Sequence, residues 1–253
     1  MKTSYSKSLM IAVVALLAFS VPVHASDMDS RIESSARQSY VFKTYLQGDD
    51  ITIQSRDGDV TLTGTVSEES HLTLAEDTVA GLPGVMSVDN RLVIKSDSPV
   101  RNSDAWLATK VKTALLFHQN VSALTEVSVR DGVVTLRGEA DSLAQKDLTT
   151  EYARDVEGVR YVKNEMSLSA ASGITRTVGE KIDDASITAQ VKMTLLFHRS
   201  TSAVNTKVET NYGVVTLTGM ASSVAARDLA TKIVSDTKGV RGVKNLMTIG
   251  TPE

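Results

Sequence analysis

Histidine is the residue of this chain with the widest chemical use, because an imidazole can bind a metal ion or transfer a proton near neutral pH. His71, His118 and His198 lie well beyond the N-terminus, and the last two each end a Leu-Leu-Phe-His segment. A histidine at a helix C-terminus is favoured by the helix dipole. A metal site needs further ligands nearby, and the sequence has no cysteine and no His-x-x-x-His pair. The sequence therefore predicts structural histidines and no metal site.

The motifs of enzymes and cofactor-binding proteins are also missing from the sequence. There is no Gly-x-Ser-x-Gly segment, no phosphate-binding loop and no dinucleotide fingerprint. The serines fall where helix caps and linkers are expected, which is their usual place. We expect a protein without catalytic residues and without a cofactor.

An acidic segment is a weaker candidate for chemistry. The loop at residues 47–50, together with Asp57 and Asp59, places several carboxylates close together in the sequence. Carboxylate oxygens bind cations such as Ca²⁺, but the spacing is not that of an EF-hand and the cluster occurs only once. A cation-binding sensor is therefore the third of the functional hypotheses.

The strongest candidate for a binding surface is an amphipathic helix that ends at Phe117. At 100° per residue, Trp106, Lys110 and Phe117 share one stripe turned away from the apolar core side of this helix. A tryptophan beside a lysine on such a stripe is typical of an interfacial membrane contact. The alternative is that Trp106 and Phe117 pack against a neighbouring domain. The candidate lipid-binding residues, including two equivalents further along the chain, are Trp106, Lys110, Lys112, Phe117, Lys192 and Phe197.

The N-terminus has the order of a secretory signal peptide. Lys2 and Lys7 precede an apolar run at residues 9–19, and Val23-His24-Ala25 ends in a small residue before Ser26. We expect a signal peptide over residues 1–25 and an exported protein. The chain carries 27 Lys and Arg against 30 Asp and Glu, a net charge of −3, which disfavours general nucleic-acid binding.

Two short signatures occur three times in the chain. An Asp-Gly-x-Val-Thr-Leu-x-Gly type segment ends at Gly64 and recurs 74 and then a further 81 residues later, and a Gly-Val-x-x-Val-x-Asn type segment shifts by the same amounts. Two signatures that keep one offset indicate that whole modules were duplicated. The glycines of these signatures, for which backbone geometry is the expected role, are Gly64, Gly138, Gly219, Gly84, Gly158 and Gly239.

Each module is predicted to fold as a helix, a β-hairpin, a second helix and a third strand. Asp131-Gly132 suits a two-residue type I′ turn, and Ser142 begins a capping box. In the third copy, an extra residue near Asn211 predicts a different hairpin loop. We expect an α+β protein of three tandem αββαβ modules, each a three-stranded mixed sheet with two helices on one face. The predicted division is a signal peptide at 1–25 and modules at 29–97, 103–170 and 182–251.

The repeated signatures resemble those of BON domains, from about Ser30 to Ile249. The resemblance implies an αββαβ fold, no enzymatic activity, a periplasmic location and a role in osmotic or envelope stress. It also implies that the partners are phospholipid surfaces or envelope proteins. We therefore expect a non-catalytic envelope-stress or osmoprotection protein. A chaperone-like or scaffolding module that works without lipid is the alternative. Outer-membrane lipoproteins with tandem BON domains carry an anchoring cysteine, which is absent here.

Overall fold

A computed structural model describes residues 23–96, 102–121, 125–169, 181–201 and 205–250, without the side chains of 23–26 and 205. Within these residues the chain forms three αββαβ modules, as predicted. The predicted signal peptide lies outside them as far as residue 22, and the first helix begins at Val23.

In the first module, the first helix is interrupted at Ser39. The hydroxyl of Ser39 accepts a hydrogen bond from the Phe42 amide and starts a short second helix. The strands lie in the order β1-β2-β3, with β1 antiparallel and β3 parallel to β2. The elements are α1 (Val23–Gln38), α2 (Tyr40–Thr44), β1 (Asp50–Arg56), β2 (Asp59–Val66), α3 (Glu69–Ala80) and β3 (Ser87–Ile94).

The second module repeats this topology with shorter strands. Ser103 and Ser142 cap its two helices, since each hydroxyl accepts from the amide three residues on. The sheet order is β4-β5-β7, and a small parallel pair, β6 with β8, extends it beyond Gly138. The elements are α4 (Asp104–Phe117), β4 (Glu126–Arg130), β5 (Val133–Arg137), β6 (Glu139–Ala140), α5 (Leu143–Asp155), β7 (Tyr161–Asn164) and β8 (Ser167–Leu168).

The third module has one long central strand that pairs with all the others. Strand β9 is antiparallel to β10, while β11 and β12 are parallel to it. The elements are α6 (Asp184–Phe197), β9 (Asn205–Asn211), β10 (Val214–Ala221), α7 (Val224–Ser235), β11 (Gly242–Asn245) and β12 (Thr248–Ile249).

The hairpin turn is the same in all three modules, so the prediction of a different loop in the third module is wrong. Tyr212 and Gly213 have φ values of 50° and 76°, close to the 52° and 74° of Asp131 and Gly132. Both central residues are therefore left-handed, as a type I′ turn requires. Strand β9 pairs residue by residue with β10 back to Asn205. The extra residue therefore does not change the hairpin.

One acidic residue of the first helix holds this turn in each module. Asp104 accepts from the amides of Asp131 at 2.6 Å and Gly132 at 3.0 Å. Asp184 accepts from Tyr212 and Gly213 at 2.7 and 2.8 Å. Asp29 does the same in the first module, and its hydrogen bonds, that from Ser55 above all, lower its pKa. Each first helix is thereby fixed to its hairpin.

The asparagine of the second signature ties the third strand to the second helix. The amide of Asn164 donates to the Lys146 carbonyl at 2.9 Å and to the Thr150 hydroxyl at 2.7 Å, and its oxygen accepts from the Met166 amide. Asn90 and Asn245 donate to the equivalent helix carbonyls. The glycines of both signatures have positive φ, from 86° to 124°: Gly64, Gly84, Gly138, Gly158, Gly219 and Gly239.

The three modules pack against one another. Helix α6 is buried along most of its length and contacts α3 of the first module and α4 of the second. The carboxylate of Asp183 accepts from the Tyr40 amide at 2.8 Å, and the Ser186 hydroxyl accepts from Val41 at 3.1 Å. The larger apolar core cluster draws residues from all three modules.

Candidate functional site

The aromatic end of the Trp106 stripe (Trp106, Lys110 and Phe117) is buried at a module boundary. Phe117 is 0% exposed, and its ring makes an edge contact with that of Tyr45 of the first module, 5.2 Å between centroids. The expectation that Phe117 is turned away from the core is wrong, because a helical wheel takes no account of the neighbouring module that covers this side. The alternative, packing against a neighbouring domain, describes Phe117 in this structure.

Lys110 lies between the aromatic side chains of two modules. Its ammonium is 5.2 Å from the Trp106 ring centroid and 5.8 Å from that of Phe197 in the third module. The same group forms an ion pair with Glu157 at 3.2 Å, and its side chain is 10% exposed. Trp106, Lys110 and Phe197 therefore form one cation–π group across a module boundary.

The two remaining candidate residues lie apart from this group. Lys112 is exposed. Lys192 forms an ion pair with Asp77 of the first module at 2.7 Å. Burial raises the pKa of Asp77 despite the lysine beside it. The structure thus brings together Trp106, Lys110 and Phe197, covers Phe117, and uses Lys192 between modules.

The boundary between the second and third modules, called the junction below, is built from equivalent residues facing each other. The amide of Gln119 donates to the Asp236 carbonyl at 2.9 Å, and the amide of Arg199 donates to the Asp155 carbonyl at 2.7 Å. These two bonds are related by exchange of the modules, since Arg199 is the counterpart of Gln119 and Asp236 that of Asp155. The junction has the self-complementary character of a two-fold interface.

Two histidines meet at the centre of the junction. His118 and His198 are both 0% exposed, and their Nε2 atoms are 3.1 Å apart. Nδ1 of His198 is 3.2 Å from the Asp155 carboxylate, and Nδ1 of His118 is 3.5 Å from that of Asp236. Both histidines are helix C-caps, as expected, and they also join two modules.

Tyr152 breaks the symmetry of this cluster. Its ring stacks on His118 with centroids 3.7 Å apart, and its hydroxyl donates to Oδ2 of Asp236 at 2.6 Å. Nδ1 of His118 has no hydrogen-bond partner among the described residues. Burial lowers the pKa of His118. The hydrogen bond and charge of Asp236 act in the opposite direction, and the electrostatic effect of His198 adds to the lowering. His118 is therefore held neutral.

A second histidine cluster lies where the first module meets the second. Nδ1 of His71 is 2.5 Å from the Asp49 carboxylate and Nε2 is 3.1 Å from that of Glu68. Glu68 also accepts from the hydroxyl of Thr113 in α4 at 3.2 Å. Burial opposes charge on His71, but the hydrogen bonds and charges of Glu68 and Asp49 outweigh it and raise its pKa. His71 is thus stabilised as an imidazolium.

We expect His71→Gln to destabilise the protein more at acid than at alkaline pH. The pKa of His71 is raised on folding above its ordinary 6.5, so its contribution is complete below that pH and is lost as the pH rises through the folded-state pKa. Hydrogen bonds to charged groups contribute about 1.5–3 kcal/mol. Urea unfolding of both proteins at pH 6 and pH 9 measures the difference. A loss that is equal at both pH values would contradict the imidazolium.

The acidic segment of the cation hypothesis is already used within the protein. Asp49 accepts from the Ser67 amide and contacts His71, and Asp59 accepts from the Ser87 hydroxyl at 2.6 Å. In the part of the chain that the structure describes, no group of three or more His, Cys, Asp or Glu side chains has the geometry to hold a metal ion.

Several exposed apolar side chains lie elsewhere, at one end of the third module. Leu246 is 63% exposed, Val224 54% and Ile249 45%, and Met220 lies at the end of the same sheet. We call Met220, Val224, Leu246 and Ile249 the sheet-end surface. Its counterparts in the second module include Leu143 and Leu168, which are also exposed. A comparison of the modules at their 81-residue offset finds these pairs in the sequence, whereas periodicity alone does not.

Leu246 also changes the charge balance of its sheet. In the second module the equivalent residue is Glu165, which pairs with Arg137 at 2.9 Å and Lys163 at 2.5 Å. In the third module Lys244 is the counterpart of Lys163 and forms no ion pair with any residue that the structure describes. An unpaired lysine thus lies two residues from an exposed leucine.

The helices of the described segments include none with the length and apolar character needed to cross a bilayer.

The repeated αββαβ modules, with their left-handed hairpin turns and asparagine ties, define the class of protein to which this chain is assigned. The BON domain family model matches residues 28–96, 103–170 and 183–251. The chain belongs to the BON domain family.

Two relatives carry names that refer to osmotic induction and to the outer membrane. It is 35% identical over 144 residues to the osmotically-inducible protein Y of Escherichia coli (strain K12), which covers 56% of this chain and 70% of the relative. It is 30% identical over 148 residues to the outer membrane lipoprotein DolP of Haemophilus influenzae, covering 56% and 75%.

A solved structure of CdsD, a structural protein of the type III secretion system of Chlamydia trachomatis, was also matched. It is 17% identical to this chain and covers 90% of it and 94% of CdsD. The TM-score of 0.25 is too low for that match to bear on fold or function.

Proposed function

We propose that this chain is an exported, non-catalytic envelope-stress or osmoprotection protein that contacts phospholipid surfaces through the sheet-end surface. The observation that carries this is Leu246, an exposed leucine beside the unpaired Lys244. Apolar side chains that enter the headgroup region next to a cation are typical of peripheral membrane contacts. The signal-like N-terminus and the kinship with an outer membrane lipoprotein support an envelope location.

The charge of the protein sets a condition on this contact. A chain with a net charge of −3 is not drawn to an anionic membrane as a whole, so the attraction must be local. Lys244 contributes about 1 kcal/mol near an anionic surface, and insertion of Leu246 adds about 1.5–3 kcal/mol. Binding should therefore weaken with salt but not vanish, because the apolar part is not screened.

We expect Leu246→Glu to lower the affinity for anionic vesicles at least tenfold. The substitution introduces glutamate, which the second module has at the equivalent position, Glu165. Lys244 then gains the ion pair that Lys163 forms, and the apolar contact with the membrane is lost. Each 1.4 kcal/mol corresponds to about a factor of ten in affinity. Co-sedimentation with phosphatidylglycerol-containing vesicles measures the change, and circular dichroism checks that the fold is kept.

The matched control is Met86→Glu, which changes charge and hydrophobicity equally at another exposed site. Met86 is 80% exposed and lies in the first module. The control should bind as the wild type does. Equal losses in both variants, or no loss in Leu246→Glu, would contradict the assignment of the contact to the sheet-end surface.

A scaffolding or chaperone-like function is the second candidate, and the burial of Phe117 and Phe197 between modules favours it. Both side chains are less than a tenth exposed, so the aromatic surface is engaged by protein. On this hypothesis the exposed apolar residues would contact envelope proteins. A failure of the wild type to co-sediment with vesicles of any headgroup would decide for it.

A further inference from the structure

We propose that the junction is an acid-released clasp, which holds the second and third modules together while His118 is neutral and lets them separate when His118 takes up a proton. Opening of the clasp does not depend on the proposed lipid contact. Only the identity of what the uncovered surface binds rests on that proposed function. Its structural basis is the buried pair of histidines and the single ring nitrogen that lacks a partner.

The distances place the two ring protons of a neutral histidine pair in two hydrogen bonds, which together involve three of the four ring nitrogens. Nδ1–H of His198 donates to Asp155 at 3.2 Å, which leaves Nε2 of His198 as an acceptor. Nε2–H of His118 then donates to it at 3.1 Å. In this neutral arrangement Nδ1 of His118 carries no proton and has no hydrogen-bond partner among the described residues.

An added proton therefore goes to Nδ1 of His118, where the surroundings do not receive it well. The facing Oδ2 of Asp236 is 3.5 Å away and already accepts from the Tyr152 hydroxyl at 2.6 Å. The other Asp236 oxygen accepts from the side chain of Asn120. His118 is 0% exposed, so the imidazolium would be shielded from bulk solvent.

The other charged groups around His118 do not relieve this. From α5, Asp155 is bonded to His198 and to the Ser200 hydroxyl at 2.5 Å. Beyond α7, Lys238 is bound through its backbone amide to the Phe117 carbonyl, and burial lowers the pKa of its side chain. After α6, the Arg199 guanidinium donates to the Val159 carbonyl at 2.8 Å. The two carboxylates of the junction, Asp155 and Asp236, are thus already engaged by other donors.

The sign of the pH dependence follows from the lowered pKa of His118. In separated modules the side chain is hydrated and binds a proton below about its ordinary 6.5, while in the closed junction it stays neutral to lower pH. Closure therefore loses stability as the pH falls below 6.5, and His118 adds no pH dependence well above that value. The pKa of Asp155 is lowered, so this carboxylate stays charged over the same range.

Release of the clasp uncovers residues of the Trp106 stripe. Lys110 lies over Phe197, 5.8 Å from the ring centroid, and the backbone on both sides of the histidines joins the two modules. Separation exposes Phe197 and frees Trp106 and Lys110 for another partner. This makes the stripe a membrane contact that is available under acid conditions only.

Fluorescence energy transfer between the two modules tests the clasp without any lipid. Because the chain has no cysteine, Ala144→Cys and Ala225→Cys introduce a labelling pair at equivalent exposed positions of α5 and α7. We expect the transfer efficiency to fall by about half between pH 7.5 and pH 5, a range in which histidine titrates. An efficiency that stays constant over this range would overturn the clasp.

Two variants assign the change to the histidines. With His118→Gln and His198→Gln together, the efficiency should not depend on pH, and a transition like that of the wild type would overturn the proposal. If this variant does not fold at pH 7.5, Tyr152→Phe gives the answer, since it keeps the stacked ring and frees Oδ2 of Asp236. Its transition should move to lower pH, and an unchanged or higher midpoint would count against the clasp. His71→Gln is the control and should open as the wild type does.

Vesicles are added only after opening has been measured. Phosphatidylglycerol-containing vesicles should bind the wild type more tightly at pH 5 than at pH 7.5, and Trp106→Ala should abolish this gain. Opening without a gain would overturn the lipid assignment of the stripe and leave the clasp in place. A gain without opening would overturn the clasp and leave the proposed lipid contact in place.

Discussion

Phe117→Ala is expected to lower the free energy of unfolding by about 3–5 kcal/mol, the usual cost of removing a large buried aromatic side chain. Phe117 is 0% exposed and contacts Tyr45 of the first module, so the cavity would open at a boundary between modules. The loss should appear in urea unfolding as a lower midpoint. The intermodule packing should also loosen, which limited proteolysis measures as faster cleavage between modules.

Leu196→Ala is the matched control for this substitution. Leu196 precedes Phe197, the counterpart of Phe117 in the third module, and its side chain is 53% exposed. Removing an exposed side chain should change the stability by about 0.5 kcal/mol or less. If Phe117→Ala were as mild as the control, Phe117 would not be buried in solution, and the stripe would be a free surface in the resting protein.

The fold could be predicted from the sequence because each module is specified by local signals. The Asp131-Gly132 turn, the cap at Ser142 and the alternation of the strands all act within a few residues. Their recurrence at shared offsets of 74 and 81 residues shows that the same αββαβ unit is formed three times. Even the third turn, where Tyr212 replaces aspartate, keeps the left-handed geometry because Gly213 and Asp184 still support it.

The candidate site could not be predicted in the same way, since its contacts join residues far apart in the chain. A helical wheel gives the direction of Phe117 but not the module that covers it. The pairing of His118 with His198 joins positions 80 residues apart, and the role of Asp236 depends on Tyr152 of another module. Repeat comparison shows that these residues are equivalent, but equivalence alone does not show that they face each other.

The two histidine clusters respond to pH in opposite directions. The pKa of His71 is raised between two carboxylates, so that cluster weakens as the medium becomes alkaline. The pKa of His118 is lowered by burial, so the junction weakens as the medium becomes acid. The contact between the first and second modules thus persists under the conditions that release the third module from the second. Acid would then rearrange the modules without separating all of them.

Gly64→Ala is expected to destabilise the first module by about 2–5 kcal/mol, because backbone strain and a steric clash act together. Gly64 has a φ of 120°, which side-chain-bearing residues rarely adopt, and an added Cβ would lie 2.0 Å from the Asp50 carbonyl oxygen. The clash is with the paired strand β1, so it cannot be relieved by a side-chain rotation. Gly48→Ala is the control, since nothing lies within 4 Å of the position that its Cβ would take. Urea unfolding should show a large loss for the first variant and about 0.5 kcal/mol or less for the second. Equal stabilities would mean that the strand end adjusts freely. The φ values of 117° and 124° at Gly138 and Gly219 would then not reflect a shared structural requirement.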